Sequence, residues 1–144
     1  MAKNKLVQYS VPLSNEPGAL SKLTKTLAAE KINVTSFMSE SLSDVAYFRF
    51  LAEESNNVKR LLEKSGYQAF ETPAVDVELS NKPGELNRLA KALGEKGVNI
   101  LNIYATANPG EYSGRVVLIV DQPEKAQPLL AKFSLNGGRE VLTA

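Results

Sequence analysis

Leu13-Ser14-Asn15-Glu16-Pro17-Gly18 returns downstream as Leu79-Ser80-Asn81-Lys82-Pro83-Gly84, at a constant offset of sixty-six residues. Each copy ends an alternating apolar run and opens a stretch with helical spacing. Behind the first copy, Leu20, Leu23 and Leu27 fall at i, i+3 and i+7. Behind the second, Leu86, Leu89, Ala90 and Leu93 keep the same face. Identity also extends to Lys25/Lys91 and Asn33/Asn99. The two stretches therefore read as strand-to-helix corners, one in each half of a duplicated chain.

Working outward, the repeat divides the 144 residues into two units, 1–72 and 73–144, with Pro73 as punctuation and no flexible linker. A unit of this size buries only about 60% of its unfolded surface, so each needs further cover from the other half or from a second chain. In the first unit, Leu6 to Leu13 reads as a strand, with Pro12 near its end. A helix runs to Glu30 or Lys31. A second strand begins at Ile32-Asn33-Val34 and runs to about Ser39, and Ser39 to Ser43 is turn-like. Asp44 to Ala52 is a third strand. Asn57 opens a short helix that carries Val58, Leu61 and Leu62 and ends at Gly66; Tyr67 to Thr72 is the fourth strand.

The second unit repeats the order. Ala74 to Leu79 is a strand, the helix behind the second corner follows, and Gly97-Val98-Asn99-Ile100 leads a strand to about Ala105. Asn108-Pro109-Gly110 has the letters of the corner but no helical spacing after it, and reads as a hairpin tip. Arg115 to Asp121 is a strand and Pro123 to Phe133 a helix, with Pro128 predicting a kink or an early stop. Gly137-Gly138 and Arg139 to Leu142 read as a turn and a closing strand. The order is β-α-β-β-α-β twice, an α+β fold of two ferredoxin-like units with antiparallel sheets and helices on one face. Apolar residues on both sides of the strands, such as Val116, Leu118 and Val120 against Val117 and Ile119, predict that the open sheet face is covered.

Composition narrows the chemistry. There is no cysteine, histidine or tryptophan, and the net charge is +1. Disulfides, thiolate catalysis and zinc–sulfur sites are excluded, and the commonest general base and metal ligand are missing. The expectation is of no catalytic residues, no metal and no cofactor. A charge so near zero is a poor footprint for nucleic acid. Met1 to Leu13 is too polar for a signal peptide and no run approaches membrane-spanning length, so the expected location is the cytoplasm, with no membrane partner.

The repeated corner has a chemistry of its own. Proline at a first helical position has its φ already set. Glycine beside it lets another group approach the backbone. The amides that follow lie at the positive end of a helix and form a seat for a carboxylate or phosphate. Asn15 and Asn81 read as caps for those amides or as donors to a ligand; Asn33 and Asn99 carry an amide that both gives and accepts. Each also has a plain reading, as a turn or cap residue and a structural glycine. Asp76 and Glu78 point the same way along a strand and read as a solvated edge in preference to a carboxylate pair. Phe37, Met38 and Tyr104 read as core or interface.

Asn15-Glu16-Pro17-Gly18-Ala19-Leu20 with Ile32-Asn33-Val34, and Asn81-Lys82-Pro83-Gly84-Glu85-Leu86 with Gly97-Val98-Asn99-Ile100, make both halves resemble ACT domains, the small βαββαβ ligand-sensing modules. The arrangement is similar to stand-alone tandem ACT proteins that carry no catalytic domain. In that family amino acids commonly bind at interfaces between ACT units. The resemblance implicates Asn15, Pro17, Gly18, Ala19, Leu20 and Asn33, and Asn81, Pro83, Gly84, Glu85, Leu86 and Asn99. It implies a regulatory, non-catalytic homodimer that senses a small ligand and acts on an enzyme. Lys31 departs from the pattern, replacing the glycine found at Gly97. Glu16 and Lys82 give the corners opposite charge, and a ligand carboxylate should prefer Lys82. Two other readings stand beside this one. The first is a protein-interaction subunit without its own ligand. The second is single-stranded RNA binding on the open sheet face through Tyr47 and Phe48, for which the expected Arg/Lys-Gly-aromatic signature is missing.

Overall fold

A computed structural model of the protein describes residues 6–53 and 57–133. It divides into two compact units, Met1–Pro73 and Ala74–Ala144. The first contains β1 (Val7–Ser14), α1 (Ala19–Ala29), β2 (Val34–Leu42), β3 (Val45–Ala52), α2 (Val58–Lys64) and β4 (Phe70–Pro73). The strands form one antiparallel sheet in the order β2-β3-β1-β4. Pro12 is tolerated inside a central strand because the pairing of β4 with β1 spans only Val7 to Ser10.

The core follows from strand alternation meeting helical spacing. Tyr9 and Val11 of β1 and Phe48 and Phe50 of β3 point to one face and pack with Leu23 and Leu27 of α1 and Val58 and Leu62 of α2. The rings of Tyr9 and Phe50 lie 5.4 Å apart and those of Phe48 and Phe50 5.5 Å apart, within the range where aromatic pairs attract beyond simple burial. Phe48 is 2% exposed and faces the helices. It is therefore withdrawn from the open face, where RNA stacking would need it.

The second unit contains β5 (Val75–Ser80), α3 (Glu85–Glu95), β6 (Ile100–Thr106), β7 (Ser113–Val120) and α4 (Pro123–Ala131), with sheet order β5-β7-β6. Its core joins Val77 and Leu79, Val116, Leu118 and Val120 to Leu89, Leu93, Ala126 and Leu130. Leu89 and Leu93 are fully buried, so truncating either to alanine costs about 2–5 kcal/mol. Val117 and Ile119 lie on the other face of β7 and are buried too. The fold is therefore α+β, with two ferredoxin-like units built from antiparallel strands and helices on one face. The turn and strand expected over Gly137 to Leu142 lie outside the described residues.

Several elements differ from the sequence expectation in instructive ways. β2 runs on to Leu42, because Ser39 and Ser41 pair with Phe48 and Ala46 on a sheet edge where polar side chains meet water. The turn shrinks to Ser43 and Asp44, with Ser43 at φ 62°. β4 starts at Phe70, three residues later than Tyr67. α4 continues through Pro128 and stops at Ala131, two residues short of Phe133. Asn57 does precede α2, but in a left-handed conformation with no side-chain capping bond.

Candidate functional site

The two corners have the same backbone. Helix α1 begins at Ala19 and α3 at Glu85, so Pro17 and Pro83 lie one step before the cap, not at the first helical position as expected. The cap residues are Gly18 at φ 89° and Gly84 at φ 91°, both left-handed. A β-carbon there would meet nothing within 4 Å, so the need for glycine comes from the backbone angle. Neither cap has a side-chain hydrogen bond.

Asn15 and Asn81 do not cap the helices. The Asn15 side chain donates to the Ser43 carbonyl at 2.8 Å, and its backbone N–H donates to the Asp44 carbonyl at 2.9 Å. Asn81 donates to Glu111 at 3.1 Å and, through its backbone, to Tyr112 at 2.9 Å. Each asparagine staples its corner to the neighbouring hairpin end. The helix amides are left for something else. Lys22 and Arg88 make the first intrahelical bonds, to Gly18 and Gly84, and Ala19 and Glu85 reach back to Glu16 and Lys82 at 3.3 Å. Among the described residues, the N–H groups of Gly18, Leu20 and Ser21 meet no acceptor, and neither do those of Gly84, Leu86 and Asn87.

Leu20 and Leu86 belong to this surface. Their spacing assigns them to the core, yet they are 42% and 59% exposed, while the leucines one turn later are buried. Each corner thus has unpartnered backbone donors and an exposed apolar side chain close by in the chain. That combination offers a carboxylate seat next to an apolar wall. Lys82 and Glu85 set the field at the second corner. The hydrogen bond from Arg88 to Glu85, at 2.8 Å, is the main cause holding that carboxyl below its ordinary pKa. Desolvation works against it, and the charges of Arg88 and Lys82 add to the lowering.

The strand-start asparagines are elsewhere. Asn33 precedes β2 and Asn99 precedes β6, whereas each corner adjoins the other end of its sheet, where Ser14 pairs with Val45 and Ser80 with Ser113. The nine residues of β2 put Asn33 about 30 Å along the strand from that end. Asn15, Pro17, Gly18, Ala19 and Leu20 therefore come together, as do Asn81, Pro83, Gly84, Glu85 and Leu86, but neither set meets the asparagine of its own unit.

Two residues that sequence reading passed over hold those asparagines. Glu53 Oε2 accepts from the Asn33 side-chain amide at 2.7 Å, and Asp121 Oδ1 accepts from the Asn99 backbone N–H at 2.8 Å. They align at an offset of sixty-eight, not sixty-six, because the second hairpin is two residues longer. Allowing for that insertion would have revealed them. Asp76 and Glu78 are engaged within the sheet: Asp76 pairs with Arg115 at 2.8 Å, and Glu78 accepts from Ser113 at 2.5 Å.

Duplicated split units, with a glycine corner in each, define a tandem ferredoxin-like module. Residues 4–137 match the family described as ACT domain pair, and the chain belongs to that family. Among solved structures it is similar to a protein from Bacteroides thetaiotaomicron, at 25% identity and TM-score 0.81, covering 89% of this chain and 88% of that one. It also shares its fold with the regulatory subunit of aspartate kinase from Thermus thermophilus (20% identity, TM-score 0.66, 91% and 95% covered). The corresponding subunit from Thermus flavus gives 19% identity and TM-score 0.64, with 89% and 92% covered. No curated protein matches the sequence. Among the described residues, no helix is long and apolar enough to cross a membrane.

Proposed function

We propose that the chain is a regulatory, non-catalytic module that binds an amino acid at its glycine corners. The observation that carries this reading is the set of unpartnered amides at Gly18, Leu20 and Ser21 and at Gly84, Leu86 and Asn87, each beside an exposed leucine. Unpartnered N–H groups at a helix N-terminus suit a carboxylate, and the leucine suits the ligand's apolar part. Membership of the ACT domain pair family supports a sensing role. In this reading the protein is a cytoplasmic homodimer, a strand-start asparagine of a neighbouring ACT unit completes each site, and occupancy is passed to an enzyme.

Calorimetry and thermal unfolding against the twenty amino acids test it. The expected result is saturable binding of one or a few of them, with about 2.7 kcal/mol of added stability at a hundred times the dissociation constant. Silence from all twenty at millimolar concentration overturns it.

A second reading, a protein-interaction subunit without a ligand, draws on the sheet edges. Phe37 and Leu42 on β2, and Leu101 and Ile103 on β6, are exposed on strands that, among the described residues, pair on one side. Co-purification with an enzyme or regulator, with silent ligand screens, would favour it.

A further inference from the structure

Glu53 and Asp121 occupy the same place in the two units. Val34 pairs with Ala52 and Ile100 with Val120, so each acid is the first residue past its strand. Each also donates its backbone N–H to the strand-start asparagine's carbonyl, Glu53 to Asn33 at 2.9 Å and Asp121 to Asn99 at 3.1 Å. The side chains differ by one methylene, and their bonds differ in consequence. The longer Glu53 reaches the Asn33 side-chain amide. The shorter Asp121 turns onto the Asn99 backbone N–H. Among the described residues, the Asn99 side chain makes no hydrogen bond, whereas the Asn33 side chain is held by a carboxylate.

We infer that this one-methylene difference makes the two strand starts unequal: Asn99 is the residue that reads the ligand, and Glu53 withholds Asn33. The inference rests on the proposed amino-acid binding and specifies which half of the duplicated site works. A free primary amide presents a donor and an acceptor together, which matches the carboxylate and ammonium of a zwitterionic amino acid. An amide already donating to a carboxylate must give up a charge-assisted bond before it meets a ligand, and it brings a competing negative charge beside the ligand's own carboxylate. Glu53 and Asp121 are positioning residues; neither touches the ligand. The full chain then takes a single amino acid, not two.

The test uses the intact chain, its best-binding amino acid and isotope-resolved side-chain amide resonances. Calorimetry should give a single ligand per chain. Asp121→Glu should weaken binding roughly tenfold, the cost of one hydrogen bond to a charged group. Glu53→Asp should raise the stoichiometry to two, which a merely structural role would not do. Without ligand, the Asn33 side-chain amide should shift on Glu53→Asp and the Asn99 amide on Asp121→Glu. Wild-type stoichiometry of two, or a loss of affinity in Asn33→Ala with none in Asn99→Ala, overturns the inference and leaves amino-acid binding standing. Amide resonances that ignore both exchanges overturn it whatever binds. Failure of the wild type to bind any amino acid removes the underlying reading and the inference with it.

Discussion

Asn15 donates its side-chain amide to the Ser43 carbonyl at 2.8 Å, tying the end of β1 to the β2–β3 turn across the sheet. Asn81 repeats the tie with Glu111 at 3.1 Å, although its hairpin loop is longer and unrelated in sequence. The staple explains why asparagine stands at both corners without reference to a ligand. Asn15→Ala should lower stability by about 1 kcal/mol, the net worth of one such bond. Asn15→Asp should cost more, because a carboxylate cannot donate and faces a carbonyl. Urea unfolding checks both, with the midpoint moving and the slope unchanged.

Lys31 and Gly97 end their helices in the left-handed region, at φ 58° and 74°. Glycine adopts that conformation freely; lysine pays for its β-carbon with roughly 1–2 kcal/mol, less what glycine loses in chain entropy. Lys31→Gly should therefore stabilise the first unit by about 1 kcal/mol. Gly97→Ala should destabilise the second by a similar amount, through backbone strain and not crowding, since the nearest atom to the new β-carbon is Lys125 Nζ at 3.9 Å. Thermal unfolding of the two variants should shift in opposite directions.

The duplicated fold was legible because leucine spacing, glycine and proline recur together at one offset. Residues such as Leu23, Leu27, Leu89 and Leu93 went to the core as their spacing required. Leu20 and Leu86 did not, because a first-turn residue can satisfy the helical period and still overhang the end of the sheet. The corner glycines were legible as glycines, but their reason was a left-handed cap, which no residue pattern distinguishes from close approach of a ligand. The polar run at Ser39 to Ser43 hid an edge strand, since an edge has water on one side and no need for alternation. Glu53 and Asp121 stayed hidden because their relation depends on pairing register across a hairpin that changed length.

Arg88 contacts two groups at once. It donates to Glu85 at 2.8 Å, and its guanidinium lies 4.3 Å from the Phe133 ring centroid. Glu85 has a lowered pKa in the folded state, chiefly from the Arg88 hydrogen bond. The stability it contributes is therefore present above the carboxyl's unfolded value and is lost as pH falls through the lower folded value. Arg88→Met should remove both contacts at neutral pH. The difference between wild type and variant should narrow as Glu85 is protonated, without vanishing, because the cation–ring contact does not titrate. Unfolding curves for both proteins from pH 7 downward check the sign.

Phe37 is 65% exposed on β2, with its ring 5.9 Å from that of Phe48. It stands on β2, which among the described residues is an edge strand with no strand beside its outer hydrogen-bonding groups. Edges of this kind are ordinarily blunted by charge or proline, and β2 from Val34 to Ser39 has neither. Ile103 takes the corresponding place on β6. A second copy of the chain, adding its own edge, would cover the apolar side chains and satisfy the strand groups together. Wild-type protein should therefore sediment at twice the chain mass. Phe37→Glu should weaken self-association by at least about tenfold, since burying a lone charge costs more than the 1.4 kcal/mol that factor represents. Phe37→Leu, which stays apolar, should leave the dimer largely intact. A monomeric wild type, or a Phe37→Glu variant that still dimerises fully, would place the homodimer on another surface or remove it.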